Sequence, residues 1–135
     1  IGFHRHNSEI EQMIKRYSKQ KLTFIFTPHL SPMFRGILSS IYVDLNRDVK
    51  VDYLHRELVK FYKKSPFINI QKINSPISTN EVINTNNCNI SVCKSKYKNK
   101  AIILSSIDNL IKGGAGQAIQ NMNIKFGFNA SKGLK

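Results

Sequence analysis

Three stretches of this 135-residue chain gather side chains suited to acid–base or anion chemistry. The first is His4-Arg5-His6-Asn7-Ser8-Glu9. A neutral imidazole accepts a proton near pH 7. Arg5 offers a two-pronged donor for a carboxylate or phosphate, and Glu9 can orient one imidazole. The same residues also read as a solvated chain end with no task. They do not read as a metal site, because His4 and His6 share a side only on an extended segment and no third ligand lies nearby. The second stretch, 26–36, holds Pro28 and Pro32, which fix an irregular segment of the kind that carries sites. His29 and Arg35 are its polar candidates, with Gly36 letting backbone approach an anion; the other reading is a crossover with a satisfied His and a surface Arg. The third, 108–117, runs from a strand through Gly113-Gly114-Ala115-Gly116 into a helix, so free N–H groups are expected to converge on one spot. It is not a dinucleotide fingerprint, since Ile119 stands where Gly or Ala is required, and no Gly-Lys-Ser/Thr follows for a Walker loop. Close helix packing, or a short polar edge facing a ligand held elsewhere, are the readings left.

These stretches need elements to position them. Apolar residues at Ile10, Met13, Ile14 and Tyr17 predict a helix over 8–19, with Ser8 as N-cap and Glu11 as its capping-box partner. Residues 22–27 and 36–45 predict strands. Val51, Leu54, Leu58 and Phe61 predict a helix over 51–64, ended by Pro66. Residues 67–70 predict a short strand, 75–87 a polar loop, 89–95 and 101–107 two strands joined by a turn at 96–100. A third helix opens at the glycine turn, runs to Asn121 or Met122, and is closed by Gly127. This order predicts a single α+β domain over 1–135, with a mixed, mainly antiparallel sheet and helices on one face.

Composition bounds the partners. The formal net charge is +13, from 21 basic and 8 acidic residues. Such a balance suggests a polyanion. Yet the basic residues are 16 Lys against 5 Arg, and 18 Ile and 14 Asn rise with them. That points to codon composition rather than a nucleic-acid partner. Hydrophobic residues make up 41%, which excludes a disordered tail. No apolar run is long enough to span a bilayer, and no secretory start is present. Cys88 and Cys93 make neither a disulfide scaffold nor a zinc site and read as structural. The lysines at 94, 96, 98 and 100 read as charge on a hairpin edge. A cytoplasmic chain is expected. Its opening at Ile1 rather than Met suggests the downstream part of a longer polypeptide.

Taken together, His4-Arg5-His6-x-x-Glu9-Ile10-Glu11-Gln12, Phe26-Thr27-Pro28-His29-Leu30-x-Pro32-Met33-x-Arg35-Gly36-Ile37 and Asp108-Asn109-Leu110-x-Lys112-Gly113-x-Ala115-Gly116-Gln117-Ala118-x-Gln120-Asn121-Met122-Asn123 resemble the N-acetyl-γ-glutamyl-phosphate reductases of arginine biosynthesis. The resemblance covers the C-terminal part of that family from end to end. Ser8, Phe34 and Gly114 replace the family's usual Pro, Asn and Ala. The resemblance implies a fold similar to the catalytic domain of glyceraldehyde-3-phosphate dehydrogenase. It also implies that a nucleotide-binding domain and an Asn-Pro-Gly-Cys nucleophile segment lie outside this chain, so neither Cys88 nor Cys93 inherits that role.

The implied chemistry is reductive dephosphorylation of an acyl phosphate through a cysteine thioester. NADP(H) would be bound mainly by the absent domain. His6 is favoured as the acid–base group, with His4 open; Arg5, Glu9, His29 and Arg35 would hold substrate; Asn109 and Gly113 would face the cofactor. The resemblance further implies a homo-oligomer built through this domain, with no nucleic acid, membrane or metal. This chain alone is expected to be inactive. Two alternatives stand beside it: a stand-alone, non-catalytic anion-binding or assembly module, and the related aminoadipyl-phosphate reductase of lysine biosynthesis.

Overall fold

Ile37–Asp44 forms strand β1, Ile68–Ile70 β2, Cys88–Lys94 β3 and Lys100–Ile107 β4. The computed structural model describes residues 4–18 and 22–135, and separates the chain into two units, Ile1–Met33 and Phe34–Lys135. All four strands lie in the second unit, in one sheet of order β1-β4-β3-β2. The β1–β4 and β4–β3 pairs are antiparallel and β2–β3 is parallel. The sheet is therefore mixed and mainly antiparallel, as expected.

Residues directly opposite in register share a face of the sheet. Val43 faces Ala101, and Val92 faces Ile103, two residues along β4. Helix α2, Val51–Tyr62, packs on that face. Val51, Val92 and Ala101 form the buried core, joined by Val43, Leu45, Leu54, Leu58 and Ile73. A fully buried valine such as Val92 contributes about 1.5–3 kcal/mol. The helix follows from Val51, Leu54 and Leu58 at one-turn spacing, with Asp52 in its first turn and Lys60 in its last to suit its dipole. Phe61, the fourth residue of that series, is instead exposed and stacks edge-on with Tyr62.

The other face of β3 is polar yet buried. Ser91 donates to the Ser75 carbonyl at 2.7 Å, and the Asn89 amide donates to Glu81 at 3.1 Å. The Asn-rich connection after β2 therefore seals the sheet there, using hydrogen bonds where an apolar layer would otherwise lie. This segment, expected to be loop, holds one short 3-10 turn at Thr79–Glu81.

After β4 the chain makes a wide turn, Ile111–Ala115, and continues as α3, Gly116–Lys125. Gly127, at φ +73, ends it. Its N–H donates to the Ile124 carbonyl, and that of Phe128 to Asn123, a Schellman closure. The expected cap is thus present, and the helix runs to Lys125, three or four residues beyond its predicted end.

In the first unit, α1 spans His6–Tyr17. It starts two residues before the predicted position, and Ser8 is not its cap. The Ser8 hydroxyl instead donates back to the Arg5 carbonyl at 2.9 Å. The predicted strand at 22–27 is also corrected: these residues carry no ladder. A β-rich sequence needs an edge to pair with, and among the described residues of this unit no second strand supplies one.

Candidate active site

The second unit gathers its candidate residues at the end of β4. Asp108 leaves the strand fully buried. Its Oδ1 accepts the N–H groups of Leu110 at 2.8 Å and Ile111 at 3.0 Å, which starts the wide turn as an Asx-type cap. Its Oδ2 accepts the Asn84 N–H at 2.7 Å. Arg35, 73 residues earlier, places Nε 3.0 Å from Oδ1 and 2.9 Å from Oδ2. Burial pushes the Asp108 carboxyl up. The Asn84 N–H, the Arg35 guanidinium and the two turn amides outweigh it and hold it down at about 2.

Asn109 continues the same grip. Its Oδ1 accepts the Gly36 N–H at 2.7 Å. Gly36 sits at φ +109, and a Cβ there would lie 2.7 Å from the Thr79 Cβ. Only glycine meets both conditions. The structure thus brings the predicted Arg35 and Asn109 together, with Asp108 and Gly36 as the link.

Close packing is the reading of the glycine turn that the geometry supports. Five of the N–H groups expected to converge there are engaged within the turn itself. The amides of Leu110 and Ile111 go to the Asp108 carboxylate, those of Gly113, Ala115 and Gly116 to the carbonyls of Asp108, Leu110 and Ile111. At Gly116 a Cβ would lie 2.5 Å from Asn86 Oδ1 and 2.6 Å from the Ile111 side chain. Gly113 meets only ordinary contacts from within the chain, the nearest at 3.4 Å. Beside the turn, Lys112 donates to Gln120 at 2.8 Å and lies over the Phe67 ring; burial lowers its pKa, opposed by the nearby Cys88.

The first unit holds the remaining candidates. The His6 N–H donates to His4 Nδ1 at 3.2 Å, and the two rings meet edge-on at 4.6 Å. His4 also stands edge-on to Phe26 at 5.6 Å. Arg5, His6, Glu9 and His29 are exposed. Among the described residues the side chains of Glu9 and His29 have no hydrogen bond.

Asp108 is the residue that sequence reading missed. It stands within the third motif, whose residue types assign it no role. One signal was available: it is the only acidic residue after Glu81 in a chain of net charge +13, and it ends an apolar strand. A lone carboxylate in that position is expected to answer a specific cation.

Residues 1–109 match the family described as the semialdehyde dehydrogenase, dimerisation domain. The whole chain is 44% identical over 135 residues to the N-acetyl-gamma-glutamyl-phosphate reductase of Staphylococcus aureus strain MRSA252, and covers 39% of that protein. The counterpart from strain USA300 is 44% identical over 134 residues, 99% of this chain and 39% of its own length. The chain thus spans about two fifths of the length of the curated relatives it matches. A crystal structure of aspartate semialdehyde dehydrogenase II from Vibrio cholerae, complexed with ASA, superposes with a TM-score of 0.52 at 14% identity, covering 70% of this chain and 28% of that one. That likeness shows the fold. The resemblance read from the three motifs is borne out by the reductases, and the chain belongs to the semialdehyde dehydrogenase dimerisation-domain family.

Proposed function

We propose that this chain is the C-terminal, substrate-holding and assembly part of an NADPH-dependent reductase that converts N-acetyl-glutamyl 5-phosphate to N-acetyl-glutamate 5-semialdehyde in arginine biosynthesis. The observation that carries the reading is whole-chain similarity to reductases of that name. The nucleotide-binding domain and the cysteine nucleophile belong to a part of the protein outside residues 1–135. The setting is the cytoplasm; among the described residues no helix is long and apolar enough to cross a membrane.

His6 is the acid–base group. The His4 ring already spends Nδ1 on the His6 amide, which makes it a support for the helix start. The His6 side chain is exposed, with no hydrogen bond to a described residue, so its ring is available to a thiol. It takes the thiol proton as sulfur attacks the acyl phosphate and phosphate leaves. It gives that proton to the oxygen that becomes negative on reduction of the thioester, and takes it back as the C–S bond breaks, the semialdehyde leaves and the thiolate is regenerated. Arg35 holds a substrate oxyanion, and Arg5, Glu9 and His29 are the substrate-facing candidates of the first unit.

The residues present fit a nicotinamide cofactor, which supplies hydride when bound. Asn109 accepts with Oδ1 from Gly36. Its Nδ2 has no partner among the described residues and can donate to a carboxamide oxygen. Gly113 offers an edge without a side chain. Assembly into a homo-oligomer is supported by the family's dimerisation role and by β1, which leaves Leu38 and Tyr42 exposed on the sheet face opposite α2.

The test is the full-length chain, expressed with its upstream coding sequence. It should oxidise NADPH when given N-acetyl-glutamyl phosphate, and residues 1–135 alone should not. His6→Ala should lower kcat about 10²–10⁴-fold, and His4→Ala less. A folded full-length chain with no turnover that depends on the acyl phosphate overturns the assignment. Turnover of only the carrier-linked aminoadipyl phosphate moves it to lysine synthesis.

A further inference from the structure

We propose that Asp108 is a positioning residue for Arg35: it binds Nε alone in a buried pair, leaving both terminal nitrogens as a free fork for a substrate oxyanion. The inference rests on the reading of Arg35 as a substrate-holding group and says what aims it.

Three observations carry it. First, the carboxylate is anchored independently of the arginine. Three backbone N–H groups, from Asn84, Leu110 and Ile111, hold its two oxygens, and they come from two separate chain segments. Asp108 is therefore a fixed point, with its charge spread over those donors. Second, Nε sits 3.0 and 2.9 Å from the two oxygens, so the pair is centred on Nε. Among the described residues nothing is hydrogen-bonded to Nη1 or Nη2. A guanidinium has five donors in a rigid plane, and one used at Nε leaves four, two of which form an end-on fork along the guanidinium axis. Third, the Asp108 side chain is fully buried and that of Arg35 is 19% exposed. The pair thus runs from the interior toward the surface.

The main chain beside Arg35 is pinned as well. Gly36 donates to Asn109 and lies against Thr79. Asp108 and Asn109 are adjacent, so one dipeptide fixes the substrate-holding arginine and carries the amide proposed for the cofactor. A lysine at 35 could not serve two anions in this way, since its ammonium is a single point without a separate Nε.

The test is steady-state kinetics of the full-length reductase with the acyl phosphate. Arg35→Ala should raise KM about tenfold or more, and Asp108→Asn should do nearly the same while kcat changes less than about threefold, the pattern of lost binding that is equal in ground and transition states. In the Arg35→Ala background, Asp108→Asn should add less than about twofold to KM. If Arg35→Ala raises KM and Asp108→Asn does not, or if the two effects multiply, the positioning role is overturned and the substrate-holding role stands. If Arg35→Ala leaves KM unchanged, the underlying reading of Arg35 fails.

Should Asp108→Asn not fold, Arg35→Ala alone still decides. Added ethylguanidinium should restore KM saturably, and ethylammonium at the same concentration should not. Equal rescue by both ions, or by neither, overturns the proposal.

Discussion

His6 and Arg35 are both candidates to meet substrate, yet the chain supports them in opposite ways. Around His6, helix α1 buries none of its own residues, and His6, Arg5 and Glu9 are exposed. The ties described there are local: the His4 ring under the His6 amide and against Phe26, the His4 carbonyl on the Asn7 amide, and the Ser8 hydroxyl on Arg5. Around Arg35, a fully buried carboxylate, three backbone amides and an obligatory glycine converge. The contrast follows from the tasks. A group that trades protons must stay reachable, so its surroundings within the unit are open. A group that fixes an anion gains from being aimed before the anion arrives, because reorganisation then costs little. The Arg35 region should therefore join stability to function, and the His6 region should separate them.

The largest expected effect tests that join. Asp108→Ala removes the partner of Arg35 and orphans the three backbone amides of Asn84, Leu110 and Ile111. Breaking a buried pair from one side costs about 3–5 kcal/mol, which should appear as a large fall in the urea midpoint. Glu9→Ala, an exposed acid on α1, should stay within about 0.5 kcal/mol. Equal effects of the two would erase the contrast between the regions.

A smaller effect sharpens it through two glycines that share a positive φ. Gly36 lies at φ +109 with Thr79 in the way of any Cβ; Gly127 lies at φ +73 with nothing within 4 Å. Both alanine variants pay the left-handed backbone cost of about 1–2 kcal/mol. Gly36→Ala must also push Thr79 aside, for a total of roughly 3 kcal/mol. It should raise KM as well, because its amide sits on Asn109 beside Arg35. Gly127→Ala should lower stability alone, at the end of α3. Differential scanning calorimetry and KM on the same two variants separate the outcomes.

Much of the fold was legible because it is local. The alternating residues of β1, β3 and β4, the turn between the last two, and the one-turn spacing of Val51, Leu54 and Leu58 need no long-range knowledge. The failures share a cause. The apolar run at 22–27 reads as a strand by residue type, but pairing depends on a partner edge that residue type cannot report. Ser8 reads as a cap, while the helix is started earlier, at His6, by the His4 ring. The site was legible as three motifs, since their residue types announce their chemistry. Its organising residue was not, because the Arg35–Asp108 pair spans 73 positions and the Asn84 amide arrives from a loop that reads as featureless.

The smallest effect lies in pH, and its sign follows from two titratable groups of this same region, Asp108 fully buried and Lys112 partly so. Asp108 is held near 2, below its ordinary 3.8. The unfolded chain then binds more protons between those values, so stability rises with pH across that window and is lost as pH falls through it. Lys112 is also lowered, by burial, from 10.5. The unfolded chain again binds more protons just below 10.5, so stability rises with pH there too. At neutral pH the carboxylate contributes its full stabilisation, and the lysine carries its full burial cost. Neither group adds slope between the two windows. Urea midpoints followed across pH should therefore lose part of their acid fall in Asp108→Asn and part of their alkaline rise in Lys112→Met. A steeper acid limb in Asp108→Asn would mean that the carboxylate is not held ionised by the amides and Arg35, and the rigid half of the comparison would fail with it.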